Sequence, residues 1–465
     1  MTNRPIINLV FLIGFLLFLP LATAKGSSSC DKFSIYRLQL RDKEGTDYSL
    51  KHPDEFLSAR ALERRARQGL AVDSTDLPLS RKYVDDVKEK GFQVIGGSKW
   101  NNTLLVRVPD STFLSRLHDL DFVTRATRVY SSIDTVYDDK PDHLLPDSTL
   151  STWKSTSHYG KGERQISMLD GKKLHQAGFE GQGMLIAIID GGFMNADKIP
   201  LLKDAKVLGA RDCVYPYKAN VYNLLDHGTM VLSTMATDAD SAFVGTAPKA
   251  SFFLLRSEDG HSENLVEEDY WAQAAEIADS LGADVINSSL GYTRFDDSRA
   301  SHKYHEQDGR TALISATASR LASKGIILVN SAGNDGMGTW KRINFPGDAR
   351  DVLTVAALSG DSINARFSSV GPSIDGRVKP DVSAMGYQST VIRGNGHIVT
   401  ANGTSFSSPE VCGMVACLWQ ALPQKTASQI MDLVRRSANQ WNYPDNVYGY
   451  GIPDFWKAYQ MGKEQ

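Results

Sequence analysis

The chain has 465 residues, 42% of them hydrophobic and 23% charged, with a formal net charge of −3. Such a composition belongs to a globular protein with a large buried core, and it excludes a disordered chain or a bundle of membrane spans. The near-balanced charge also argues against nucleic-acid binding, which leaves a basic footprint.

At the N-terminus, Arg4 precedes an apolar run from Ile6 to Leu21 and the small residues Ala22-Thr23-Ala24. This order reads as an export signal peptide over residues 1–24. Pro20 and the shortness of the run disfavour a membrane anchor, and no later segment is apolar enough to span a bilayer. Ser27-Ser28-Ser29 before Cys30 lacks the large apolar residue of a lipoprotein site. The four cysteines, Cys30, Cys213, Cys412 and Cys417, are too few for a disulfide scaffold. Cys412 and Cys417 read as small buried hydrophobes, whereas a Cys30–Cys213 bridge stays undecided.

Residues 25–130 read as a small α+β unit. Phe33–Leu40 has the pattern of a strand. Ser58–Gln68 is a basic amphipathic helix stopped by Gly69, with Arg60, Arg64, Arg65 and Arg67 expected on its solvated face. Arg81–Lys90 is a second helix. Phe92–Ile95 and Thr103–Val108 are strands on either side of a turn at Gly96-Gly97-Ser98, Asp110 caps a helix to Leu117, and Phe122–Tyr130 closes the unit as a strand. Without the basic helix the order is β-α-β-β-α-β, which predicts a ferredoxin-like sandwich. Residues 131–158, dominated by Asp, Ser, Thr and Pro, read as an exposed linker prone to nicking.

Residues 159–465 alternate short apolar strands with longer helices. Met184–Ile189, Ser251–Leu255, Asp284–Asn287, Ile326–Asn330 and Val352–Val355 show little polar alternation, as strands buried on both faces do. With Glu267–Ser280 and Thr311–Ser323 as helices, this rhythm predicts an open three-layer αβα domain with a parallel central sheet.

Open parallel sheets present their working residues beyond the carboxyl ends of strands. Asp190 ends the apolar run Leu185–Ile189; alone, it is as well read as a turn cap. His227-Gly228-Thr229 opens an apolar helical run. Asn402-Gly403-Thr404-Ser405 leads into another, so Ser405 sits at a helix start, where its own N–H and the helix dipole would face a developing oxyanion. A plain N-cap fits the same position. Pro409 is tolerated in a first turn. Asn334, beyond the strand Ile326–Asn330, could donate a side-chain hydrogen bond to that oxyanion, or simply form a turn with Asp335-Gly336. Together, Asp, His and Ser in this chain order match one of the known nucleophilic triads.

The blocks Ile188-Ile189-Asp190-Gly191-Gly192, His227-Gly228-Thr229 and Gly403-Thr404-Ser405-Phe406-Ser407-Ser408-Pro409 resemble the subtilisin-like serine peptidase family. Val244-Gly245-Thr246-Ala247-Pro248 and Phe367-Ser368-Ser369-Val370-Gly371 extend the resemblance. It implies a secreted endopeptidase acting on polypeptides, with Asp190, His227 and Ser405 as triad and Asn334 as oxyanion amide. Ser289, Leu290 and Gly291 would line one wall of the substrate pocket, and Ser331, Ala332 and Gly333 the facing wall, with a substrate strand pairing between them. The N-terminal unit resembles the propeptide of such enzymes, an intramolecular inhibitor. Gly191 and Met230 depart from commoner family residues, but neither moves a proton. The resemblance makes no cofactor certain, and structural calcium stays open because Ser257–Asn264 and Thr293–Asp308 differ from compact relatives. His302 and His305 are expected in a surface loop. A peptide-binding module without chemistry is the rival reading; reaction with a fluorophosphonate separates the two.

Overall fold

The computed structural model describes residues 33–132, 155–216 and 220–464. The expected signal peptide, Cys30 and most of the expected linker lie outside these residues. Among the described residues two compact units form: one from 33–63 and 71–132, the other from Arg64–Leu70 together with 155–216 and 220–464.

In the first unit the chain runs through β1 (Ser34–Leu40), α1 (Ala59–Arg67, whose end belongs to the second unit), α2 (Arg81–Glu89), β2 (Gln93–Ser98), β3 (Thr103–Val108) and β4 (Val123–Ser131). The sheet order is β2-β3-β1-β4 with every pair antiparallel, as a ferredoxin-like sandwich requires. Period-2 alternation turns Tyr36, Leu38 and Leu40 to one face, where they pack with Leu104, Val106, Val108 and with Tyr83 and Val87 of α2. Ser80 caps α2 by accepting from the Tyr83 amide. Asp110 does cap the next element, but Ser111–Leu117 is a 3-10 helix, not an α-helix. Gly96-Gly97-Ser98 is not the turn: these residues continue β2 beyond a register shift after Val94. The reversal falls on residues 99–102, where Asn102 takes a left-handed φ of 54° and its amide donates to the carbonyls of Leu40 and Asp42.

The second unit begins with α3 (Glu163–Met168) and α4 (Lys172–Gln176), then β5 (Leu185–Asp190), β6 (Lys206–Asp212), α5 (His227–Ala236) and the small pair β7 (Asp238–Ala239) and β8 (Phe243–Val244). It continues through β9 (Ser251–Arg256), α6 (Val266–Leu281), β10 (Val285–Ser288), α7 (Leu313–Leu321), β11 (Ile327–Ser331), β12 (Leu353–Leu358) and β13 (Val382–Met385). A hairpin of β14 (Ser389–Ile392) and β15 (Ile398–Ala401) precedes α8 (Thr404–Ala421), α9 (Ala427–Ser437) and α10 (Phe455–Glu464). Seven strands form one parallel sheet in the order β13-β12-β11-β10-β5-β9-β6. Every residue of β5 and β12 is buried, which explains their unbroken apolar sequences. Ile186 and Ile188 share a core with Val231 and Met235 of α5 and with Val411, Val415 and Leu418 of α8. Alternation leaves Ala187 and Ile189 for the opposite face, where α6 and α7 pack together as the third layer.

Three expectations need correction. Arg64 and Arg65 are not solvated: they are 0% and 1% exposed, because Asp279 and backbone carbonyls of the second unit receive them. His302 is not a surface residue either; its ring is held by Glu268 at 2.5 Å and Glu306 at 3.3 Å. Pro409 lies beyond the first turn of α8, as its sixth residue. Among the described cysteines, Cys213, Cys412 and Cys417 are free and buried, as small apolar side chains are. A buried ion triad also ties the sheet to α9: Asp381 accepts from Lys379 and Arg435, each at 2.7 Å.

Candidate active site

Strand order reverses at β5, whose neighbours β9 and β10 follow it in the chain on opposite sides. Asp190 ends β5 at this switch point, the place where open sheets bind ligands. Its Oδ1 accepts from the Gly191 amide at 2.8 Å and lies 2.8 Å from Nδ1 of His227. A carboxylate oxygen can only accept there, so the imidazole proton sits on Nδ1 and Nε2 is left basic. Asp190 is fully buried, whereas the His227 side chain is 35% exposed. Burial pulls the His227 pKa down, but the charge and hydrogen bond of Asp190 outweigh it, and the net shift is upward.

His227 is the first residue of α5, and Gly228 sets its approach to β5. The Gly228 amide donates to Gly192 O at 2.9 Å, and a Cβ there would lie 2.4 Å from that oxygen. Asp226 does not cap α5 with its side chain, which instead binds Arg393 and the Gly394 amide.

Ser405 is the second residue of α8 and is buried. Its hydroxyl donates to Ser289 O at 3.2 Å, not to His227, and Ser289 Oγ donates back to Ser405 O at 2.9 Å. The donation back has a covalent cause. Proline 409 lacks the N–H that would bond the carbonyl four residues earlier, so Ser405 O is open to another donor. Ser289 Oγ in turn accepts from Asn287 Nδ2, whose Oδ1 accepts from Ser408 Oγ, each at 3.0 Å. Asn287 and Ser408 thus hold the serine's surroundings, a function that no single-residue pattern displays.

Asn334 follows β11 and is exposed. Its Oδ1 accepts from both the amide and the hydroxyl of Thr404, at 2.9 and 3.0 Å. Since the Thr404 N–H must meet an oxygen, the amide orientation is fixed and Nδ2 remains free to donate. Thr404 Oγ also accepts from the Gly333 amide at 3.1 Å, which joins the Asn334 loop to the start of α8.

Ser289, Leu290 and Gly291 continue from β10, and Ser331, Ala332 and Gly333 end or follow β11. Asn344 lies between the two segments, against both Gly291 and Gly333. On the second wall the backbone of Ala332 and Gly333 already has protein partners. Ala332 uses its N–H on Val355 and its carbonyl on Asn344; Gly333 uses its N–H on Thr404 and its carbonyl on Ser369.

Near the site, Glu258, Glu263 and Glu267 bring carboxylate oxygens within 4.8 Å of one another. Burial first, then like charge, raises their pKa values to about 8, 7 and 10. Glu267 accepts from the amides of Asp259 and Asn264, and Glu258 from the Tyr292 hydroxyl. Glu258 and Glu267 are already engaged by these protein donors, and three carboxylates alone fall short of a calcium cage of six to eight oxygens.

The profile of the Subtilase family matches residues 181–451, and that of the Peptidase S8 propeptide domain of Bacteroidota matches residues 35–142. Subtilisin NAT of Bacillus subtilis subsp. natto is 30% identical over 62% of this chain and 68% of its own length. The Thermostable alkaline protease of Halalkalibacterium halodurans is 26% identical over 63% of this chain and 73% of its own. In fold, the second unit is similar to the crystal structure of MycP1 with its N-terminal propeptide removed. That likeness has a TM-score of 0.51 at 23% identity, covering 64% of this chain and 96% of that one. The chain belongs to the subtilase family. It is a serine-type endopeptidase made with a propeptide domain, which implies a zymogen.

Proposed function

We propose that the protein is an exported endopeptidase that cleaves polypeptides through an acyl-enzyme on Ser405. The observation that carries this reading is the 2.8 Å contact of His227 with Asp190, at the same sheet edge as the start of α8. Rotation of the Ser405 hydroxyl away from Ser289 O delivers its proton to Nε2 of His227 as Oγ attacks the scissile carbonyl. Asp190 stabilises the imidazolium, which then protonates the leaving amine. Asn334 Nδ2 and the Ser405 amide, at the positive end of α8, hold the oxyanion. Residues 289–291 bind the substrate backbone, and residues 331–333 shape the pocket.

Residues 1–24 direct export to the periplasm or the extracellular space. Among the described residues no helix is long and apolar enough to cross a membrane. Residues 25–130 are the inhibitory propeptide, and a cut within residues 131–158 frees residues 159–465. Mass spectrometry and fluorophosphonate labelling of wild-type and Ser405→Ala protein test the reading. Wild type is expected to label, and to lose the N-terminal region by a cut between 130 and 159; Ser405→Ala should do neither. Undiminished peptide hydrolysis by Ser405→Ala would sink the assignment.

A further inference from the structure

The basic helix α1 ends inside the second unit. Arg64 Nη2 donates to Asp279 Oδ1 at 2.5 Å, and Arg65 Nη2 bridges Oδ1 and Oδ2 of the same carboxylate at 2.9 and 2.8 Å. Two guanidiniums on one carboxylate leave a positive charge to be answered. Arg64 meets it with Ala283 O at 2.7 Å, just past the end of α6, and with Lys324 O at 3.2 Å, at the end of the turn that follows α7. Both acceptors stand at helix C-termini, where backbone carbonyls and the dipole favour a cation. Gln68 extends the contact, donating to Gly325 O at 2.9 Å and accepting from the first amide of α9 at 2.8 Å. Gly325 is shaped for it, with a φ of +79° and space in which a Cβ would lie 2.6 Å from Gln68 Nε2. Arg67 adds an ion pair to Asp284 at 3.5 Å.

Residues 64–70 lie within the stretch matched by the propeptide profile, yet they pack as part of the peptidase unit. We infer that the Asp279 pocket is a docking site for the Arg64–Leu70 segment, which retains the propeptide after the linker has been cut. In place, the segment leaves the Asp279 carboxylate buried and paired with both guanidiniums.

The inference rests on the proposed maturation within residues 131–158, and its test is independent of self-cleavage. A recognition sequence for a site-specific protease is inserted between residues 139 and 150 of the full Ser405→Ala chain, and the cut protein is diluted and gel-filtered. The N-terminal fragment is expected to co-elute with the peptidase fragment. With Arg64→Ala and Arg65→Ala combined it should dissociate at least 100-fold faster, as loss of a buried ionic partner implies. Equal dissociation rates would overturn the inference. Gln68→Ala, a milder change for use should the double variant not fold, is expected to speed release about fivefold through loss of its hydrogen bonds, and no change there refutes the dock equally. A wild-type chain never cut between 130 and 159 would instead sink the maturation reading and leave the docking result standing.

Discussion

Replacing Ser289 by alanine removes the hydroxyl that donates to the Ser405 carbonyl at 2.9 Å, and Pro409 ensures that no helical amide takes its place. The carbonyl belongs to a buried residue, so its loss of a partner costs about 1–3 kcal/mol. At about 2 °C per kcal/mol for a unit of this size, Tm should drop by roughly 2–6 °C. A double-mutant cycle isolates the cause. In a Pro409→Ala background the restored N–H can bond Ser405 O along the helix, so Ser289→Ala should then cost far less. Calorimetry of the four proteins, all carrying Ser405→Ala to prevent autolysis, measures the coupling. That substitution keeps the carbonyl in question. Equal Tm losses in both backgrounds would refute the claim that serine 289 substitutes for the amide proline lacks.

Asn334→Ala should lower kcat by roughly 30- to 150-fold with KM little changed, because a hydrogen bond to a charged oxyanion contributes about 2–3 kcal/mol; steady-state kinetics on a peptide amide decides it. Asp381→Asn should destabilise the Ser405→Ala protein by about 3–5 kcal/mol at pH 7, measured by denaturant unfolding, since Lys379 is left buried beside a neutral amide. Burial alone would raise the Asp381 pKa, but Lys379 and Arg435 hold it near 2, so its contribution is complete above the unfolded carboxylate range and is lost only as pH falls through about 2. Between pH 5 and 8 the opposite sign prevails. Glu258 and Glu263 titrate near 8 and 7, and the His227 and His302 pKa values are raised, so at these groups the native state binds more protons than the unfolded chain. Stability therefore declines with rising pH, and the Tm of Ser405→Ala should be higher at pH 5 than at pH 8.

What the sequence displays and what it hides divide along physical lines. β5 and β12 are legible because burial on both faces imposes an unbroken apolar run, and a turn-chemistry rule finds Asp110 as a cap. β6, on the sheet edge with exposed and half-buried positions, and the four-residue β13 carry too little signal to be seen. The reactive positions are found because strand ends and helix starts are local features, each fixed by a few neighbours. Their supports are not local: Ser289 meets Ser405 across 116 positions, and Thr404 meets Asn334 across 70. Arg64 and Arg65 show the limit most sharply. An arginine cluster on a short helix is normally solvated, since burying a guanidinium is costly without a matched acceptor set. Here that set is one carboxylate and the carbonyls at two helix ends, more than 200 positions away. No window along the chain contains both halves of such a contact. The residues a local reading assigns to solvent are thus the ones through which a removable segment can be held.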